Sequence, residues 1–253
     1  MIFLLGYQGF VGTGIYDYLI NHKFKVQGIG RKNYRQFVGK KCRIFVNANG
    51  NSSKRLAENN FSREFDLSVK SVLQTFQDFH YSKYIYLSTV DVYHRLNNFR
   101  TTDETTQIDL NKIGHYAFHK YIAEQIVRHY NKNWLIFRLG GMIGKNMKKG
   151  AIYDILNEQR LWVSSQSNFL SLDTQKIGEA VIKLSNVKNK IFNLVSSQPI
   201  NLKTAARIAG KKISREGSTK LIFKVNSKRI FHYLGLPTSK ECLLRYLKIS
   251  KPN

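Results

Sequence analysis

Tyr116 and Lys120 stand four residues apart in GHYAFHKY, residues 114–121. On a helix this spacing puts both side chains on one face, where they can meet. A free phenol loses its proton near pH ~10, and a cation one turn away favours the phenolate. The pair therefore has the makings of an acid/base centre. A second constellation opens the chain, where GYQGFVG carries glycines at 6, 9 and 12. Gly6 permits a tight turn off a strand, Gly9 lets backbone amides approach a pyrophosphate, and Gly12 allows a helix to pack closely. The start of that helix, Phe10 and Val11, then faces the anion. These residues point to a bound dinucleotide.

The residues after the second apolar run indicate which one. A carboxylate for the adenine ribose belongs about 20 residues beyond the glycines, but the sequence there reads QGIGRKNYR. Gly30 leaves room for a 2′-phosphate and Arg31 can pair with it, so NADP(H) is expected ahead of NAD(H). His115 and His119 share a spacing that can hold zinc, but no glutamate follows His115 and no third ligand is evident, so no metal is expected.

The elements that must position these groups follow a βα alternation. Apolar runs at 2–5, 25–29, 43–46, 84–88, 134–138 and 190–195 read as strands. The intervening segments 10–21, 61–79 and 112–130 read as helices, with another from residue 202. The expected fold is α/β, a Rossmann-like doubly wound parallel sheet with a small C-terminal substrate lobe. GGMIGKNMKKG, residues 140–150, is the sharpest change of composition. It divides a nucleotide-binding domain, 1–140, from a lobe, 141–253, that partly rejoins the sheet over about 169–200.

The 253 residues hold 41 Lys and Arg against 16 Asp and Glu, a net charge of +25. Residues 201–253 alone carry 13 of the basic residues against Glu216 and Glu241. Such charge speaks of partners rather than fold, and leaves a nucleic acid or an anionic membrane surface open beside a small anion. Cys42 and Cys242 have no metal or redox spacing, which suits a reducing cytoplasm. The N-terminal apolar stretch lacks the basic residues and cleavage site of a signal peptide, so the chain is expected to start in a strand.

Taken together, GYQGFVG (6–12), VNANG (46–50), YLSTVDVY (86–93), YAFHK (116–120) and RLGGMIG (138–144) resemble the extended branch of the short-chain dehydrogenase/reductase superfamily. That branch comprises nucleotide-sugar epimerases, dehydratases and ketoreductases. The resemblance implies that Tyr116 moves the proton, that Lys120 holds the nicotinamide ribose, and that Thr89 hydrogen-bonds the substrate oxygen. It places Asn47 at the cofactor, and Asp91 and Gly141 with Thr89 at the substrate, where the charge of the basic loop adds Lys145. It also implies pairing of subunits through the helices beside the tyrosine.

This chain departs from the pattern at several positions. Val90 precedes Asp91, so an adjacent acidic pair is missing; Gly141 stands where an asparagine is frequent; Ser68 and Ser71 replace Asn and Gly; and His94 follows Tyr93 in place of glycine. The expected activity is NADP(H)-dependent reduction of a keto group on a nucleotide-linked sugar, an anionic substrate that suits Lys145, Lys148 and Lys149. The alternatives are an NAD-dependent epimerase or dehydratase and, from another class, a non-catalytic dinucleotide-binding regulator or anionic-surface binder.

Overall fold

Side-chain alternation along the first strand already defines two layers. Ile2 and Leu4 face one side, Phe3 and Leu5 the other, and all four are buried. A strand so covered on both faces belongs inside a parallel sheet flanked by helices. The computed structural model, which describes residues 1–250, has that arrangement. Strands β1 (Ile2–Leu5), β2 (Val26–Ile29), β3 (Lys41–Asn47), β4 (His80–Thr89) and β5 (Trp134–Leu139) come first. Three short strands follow, β6 (Gly141–Ile143), β7 (Asn168–Phe169) and β8 (Ser171–Asp173); β9 (Lys190–Leu194) and β10 (Ile200–Asn201) come last. The main sheet runs β2-β1-β3-β4-β5-β9, parallel throughout.

The strand order reverses at β1, which pairs with β2 on one edge and β3 on the other. Leu5 is in register with both Ile29 and Asn47, so the turns after three strands crowd together at the carboxyl edge, where such folds bind ligands. Helix α1 (Phe10–Asn21) covers one face through Ile15 and Leu19. After the short α2 (Tyr34–Phe37), the chain forms α3 (Lys54–Asn59), α4 (Phe61–Phe65) and α5 (Ser71–Asp78). The expected single helix over 61–79 is interrupted by a π turn, Asp66–Lys70, a widening frequent near functional sites. Helix α6 (His115–Tyr130) packs Ala123 and Val127 beside Val72 of α5 on the second face.

The boundary at residue 140 does not divide the core. Leu172, Ile177, Val181, Leu202, Ile230 and Leu243 join Ile2, Leu4 and Ile15 in one cluster. After α7 (Ala151–Leu156), helix α8 (Gln175–Lys183) lies so close on α1 that a Cβ at Gly178 would be 2.7 Å from the Tyr18 Cβ. The expected loop at 140–150 begins with β6, which pairs with β8. Helices α9 (Leu202–Ala209), α10 (Lys228–Phe231) and α11 (Ser239–Ser250) complete the described residues. No helix among them is long and apolar enough to cross a membrane.

Candidate active site

The glycine turn is built to hold an anion with backbone. Gly6 has φ +82°, a left-handed value that favours glycine, and its amide donates to the Ile29 carbonyl at 2.8 Å. A Cβ at Gly12 would sit 2.1 Å from the Gly6 oxygen, so no other residue fits there without moving the turn. Gly9 caps α1, no side chain caps its first amides, and the first turn holds no acidic residue. The N–H groups of Phe10, Val11 and Gly12 therefore face outward without an intrahelical partner, as a phosphate requires.

Two cofactor expectations change on this edge. The space at Gly30 is not free: a Cβ there would meet the Gln8 Oε1 at 2.9 Å, and one at Gly28 would strike the Tyr7 ring at 2.6 Å. These glycines accommodate the side chains of the turn itself, and Arg31 remains as an exposed cation just beyond β2. Asn47 turns inward. Its Nδ2 donates to the Tyr84 hydroxyl at 2.8 Å and its Oδ1 accepts from the Asn49 amide at 3.0 Å, so it shapes the turn after β3.

Thr89, Tyr116 and Lys120 converge at the end of β4. Thr89 closes that strand; its hydroxyl accepts from the Asp91 amide at 3.2 Å and donates to Asp91 Oδ2 at 3.1 Å. Burial and then the Asp91 carboxylate raise the pKa of the Tyr116 phenol; the Thr89 hydroxyl, bonding toward it, pulls the other way. Lys120 is expected to lower it, but burial of the phenol outweighs any such lowering. The Lys120 ammonium donates to the Leu87 carbonyl at 3.2 Å and lies over the Tyr86 ring, 5.1 Å from the centroid. Burial brings this lysine down to about 8, with Glu64 and then Glu124 opposing. At neutral pH Tyr116 is thus a protonated phenol beside a buried lysine, a proton donor ready for an oxyanion.

A buried ionic network, absent from the sequence reading, fixes α6 to the sheet beneath these groups. Arg138 of β5 forms a two-pronged pair with Glu124, with Nη2 to Oε2 at 2.6 Å and Nε to Oε1 at 3.0 Å. Ser88 donates to the same Glu124 Oε1 at 2.5 Å. Arg138 Nη1 donates to the Tyr93 hydroxyl at 2.8 Å, which donates on to Asn193 of β9 at 3.0 Å. The available signals were an arginine inside the apolar run WLIFRL and a glutamate one turn beyond Lys120. His115 and His119 part company: His115 is exposed and faces Glu58 at 3.8 Å, while His119 is buried against Glu64.

A cleft of about 570 Å³ opens beside Tyr116 and Asp91, with Lys54, Arg95, Lys112 and Lys220 among its walls. Lys54 pairs with Asp91 at 2.8 Å. Gly141 is not on the cleft wall; it is packed so that a Cβ would lie 2.3 Å from the Leu170 oxygen. Lys145 is exposed and also apart from the lining. In the same loop Lys149 reaches the Ser52 hydroxyl at 3.2 Å, its pKa lowered by burial and by neighbouring Lys54 of the cleft wall.

Residues 45–158 match the model of the NAD dependent epimerase/dehydratase family, a span that holds Thr89, Tyr116 and Lys120. No curated protein sequence matches the chain. Among solved structures, it is similar to dTDP-4-dehydrorhamnose reductase from Bacillus anthracis in complex with NADP, at 14% identity and TM-score 0.82, over 98% of each chain. It is similar to a UDP-glucose 4-epimerase from Thermotoga maritima with UDP-glucose, at 14% identity and TM-score 0.79, over 98% of this chain and 99% of that one. A dTDP-glucose 4,6-dehydratase from Streptomyces venezuelae with NAD bound gives 14% identity and TM-score 0.81, over 98% of this chain and 95% of the other. The match to the family model thus spans residues 45–158, and along nearly its whole length the chain shares the Rossmann-like fold of these solved structures.

Proposed function

We propose that the protein is an NADP(H)-dependent reductase acting on a keto group of a nucleotide-linked sugar. The observation that carries this reading is the meeting of Thr89, a protonated Tyr116 and Lys120 beside a basic cleft, on the sheet edge where the glycine turn also lies. The bound nicotinamide supplies the hydride. Gly6, Gly9, Phe10, Val11 and Gly12 hold its pyrophosphate, Lys120 its ribose, and Arg31 the 2′-phosphate. Thr89 bonds the substrate oxygen where charge develops, and Tyr116 gives it a proton. Lys54, Arg95, Lys112 and Lys220 attract the substrate diphosphate.

Fluorescence titration with NADPH and NADH is the first test, and exchangeable NADPH the expected result. Tightly retained NAD would move the reading to an epimerase or dehydratase. Tyr116→Phe should then lower turnover by roughly 10²- to 10⁴-fold, the usual worth of a general acid, with nucleotide binding intact.

A further inference from the structure

Next to Lys120 a second set of polar groups lies buried. Glu64, on α4, is fully enclosed, and both carboxylate oxygens are used: Oε1 accepts from the Ser68 hydroxyl and Oε2 from His119 Nδ1. Ser68 belongs to the π turn Asp66–Lys70, and both it and His119 are themselves buried. A Cβ at Gly50 would lie 3.4 Å from Lys120 Nζ and 3.9 Å from Ser68 Oγ, so the ammonium and the Glu64 cluster share one small space.

The groups facing that ammonium come from three elements. From β4 come the Leu87 carbonyl and the Tyr86 ring. From α6 come Tyr116, one turn before, and Glu124, one turn after; Glu64 comes from α4. Glu124 is already matched by the guanidinium of Arg138. Glu64 is held by a hydroxyl and an imidazole, neither of which carries a permanent charge, so its carboxylate is placed to answer the lysine.

We propose that Glu64 is a positioning residue for Lys120: its buried carboxylate, oriented by Ser68 and His119, is the counter-charge that keeps the lysine protonated and in place beside Tyr116. This rests on the reading of Lys120 as a functional lysine and adds a partner outside the Tyr/Lys motif. Burial works against the ammonium, and an opposite charge nearby works for it. Without Glu64, burial gains the upper hand.

The test follows the Lys120 side chain itself, in the full chain without nucleotide. Lysine labelled with ¹³C at Cε is titrated by NMR, the Lys120 signal being the one missing from Lys120→Met. In Glu64→Gln the midpoint should fall by roughly one unit or more, the size of a lost neighbouring charge. In Glu64→Asp, which keeps the charge, it should stay near the wild-type value. An unchanged midpoint in folded Glu64→Gln overturns the inference, as does an equal fall in both variants. If Glu64→Gln does not fold, the wild-type protein decides, through glutamate labelled at Cδ. A second inflection of the Lys120 signal where Glu64 titrates is expected, and independent titrations overturn the proposal. Nucleotide binding and Tyr116→Phe turnover test the proposed function separately, so either reading can fail alone.

Discussion

Two buried glutamates flank Lys120, and they are held in opposite ways. Glu124 meets Arg138, whose charge burial disfavours but Glu124 and Tyr93 reinforce, and the pair ties α6 to β4 and β5. Glu64 meets His119 and Ser68, partners with no permanent charge, and sits beside a turn of widened helix. A fixed ion pair makes a rivet, whereas a carboxylate held by a hydroxyl and an imidazole keeps a charge that a neighbour can use. One group holds the helix, and the other tunes what the helix carries.

The largest effect should come from breaking the rivet. Arg138→Met leaves Glu124 buried without its cation and should cost ~3–5 kcal/mol of stability in urea unfolding. Adding Glu124→Gln should restore much of that loss, since no lone charge then remains buried. Equal stability of Arg138→Met and wild type would erase the contrast. His119→Phe, which takes one hydrogen-bond partner from Glu64 but leaves Ser68, should cost only ~1–3 kcal/mol by the same measurement. A loss as large as that of Arg138→Met would make both glutamates structural.

The smallest effect is a slope with pH. Lysine normally titrates at 10.5, and burial holds Lys120 down to about 8. Above pH ~8 the unfolded chain therefore keeps a proton that the folded chain has lost, and stability rises with pH. Lys83, also lowered to about 8 by burial, adds to the slope. Above pH ~9 the thiols of half-buried Cys42 and buried Cys242, raised to about 12 and about 11, pull the other way. Thermal unfolding between pH 8 and 9 should show the rise, and Lys120→Met should reduce it, leaving the share of Lys83.

The contrast also explains what the sequence made legible. Helix α1 was read to the residue, because an apolar run, spaced glycines and the helix lie within 21 consecutive positions. The Tyr116 and Lys120 spacing is legible as a local pattern, whereas Thr89 and Asp91, which lie beside Tyr116, are named through the resemblance. The ionic groups beneath them are not legible, because Glu64 and His119 are 55 positions apart and Arg138 and Glu124 are 14 apart, on different elements. Gly30 and Lys145 are read from residue type and Asn47 and Gly141 from the resemblance, and the surroundings of the four, Gln8, open surface, Tyr84 and Leu170, give no sign in the chain. Helix α8 and the β6–β8 pair escaped notice because nine- and three-residue segments carry too little periodicity to separate from loop.

The seating of Gly178 against Tyr18 has a consequence for biosynthesis. A ribosome makes α1 early, but the helix that packs against it, and β9 at the sheet edge, emerge more than 150 residues later. The nascent first half must wait with apolar surface uncovered, and a transcript cut at the glycine-rich loop would yield a product for the chaperones rather than a working nucleotide-binding half.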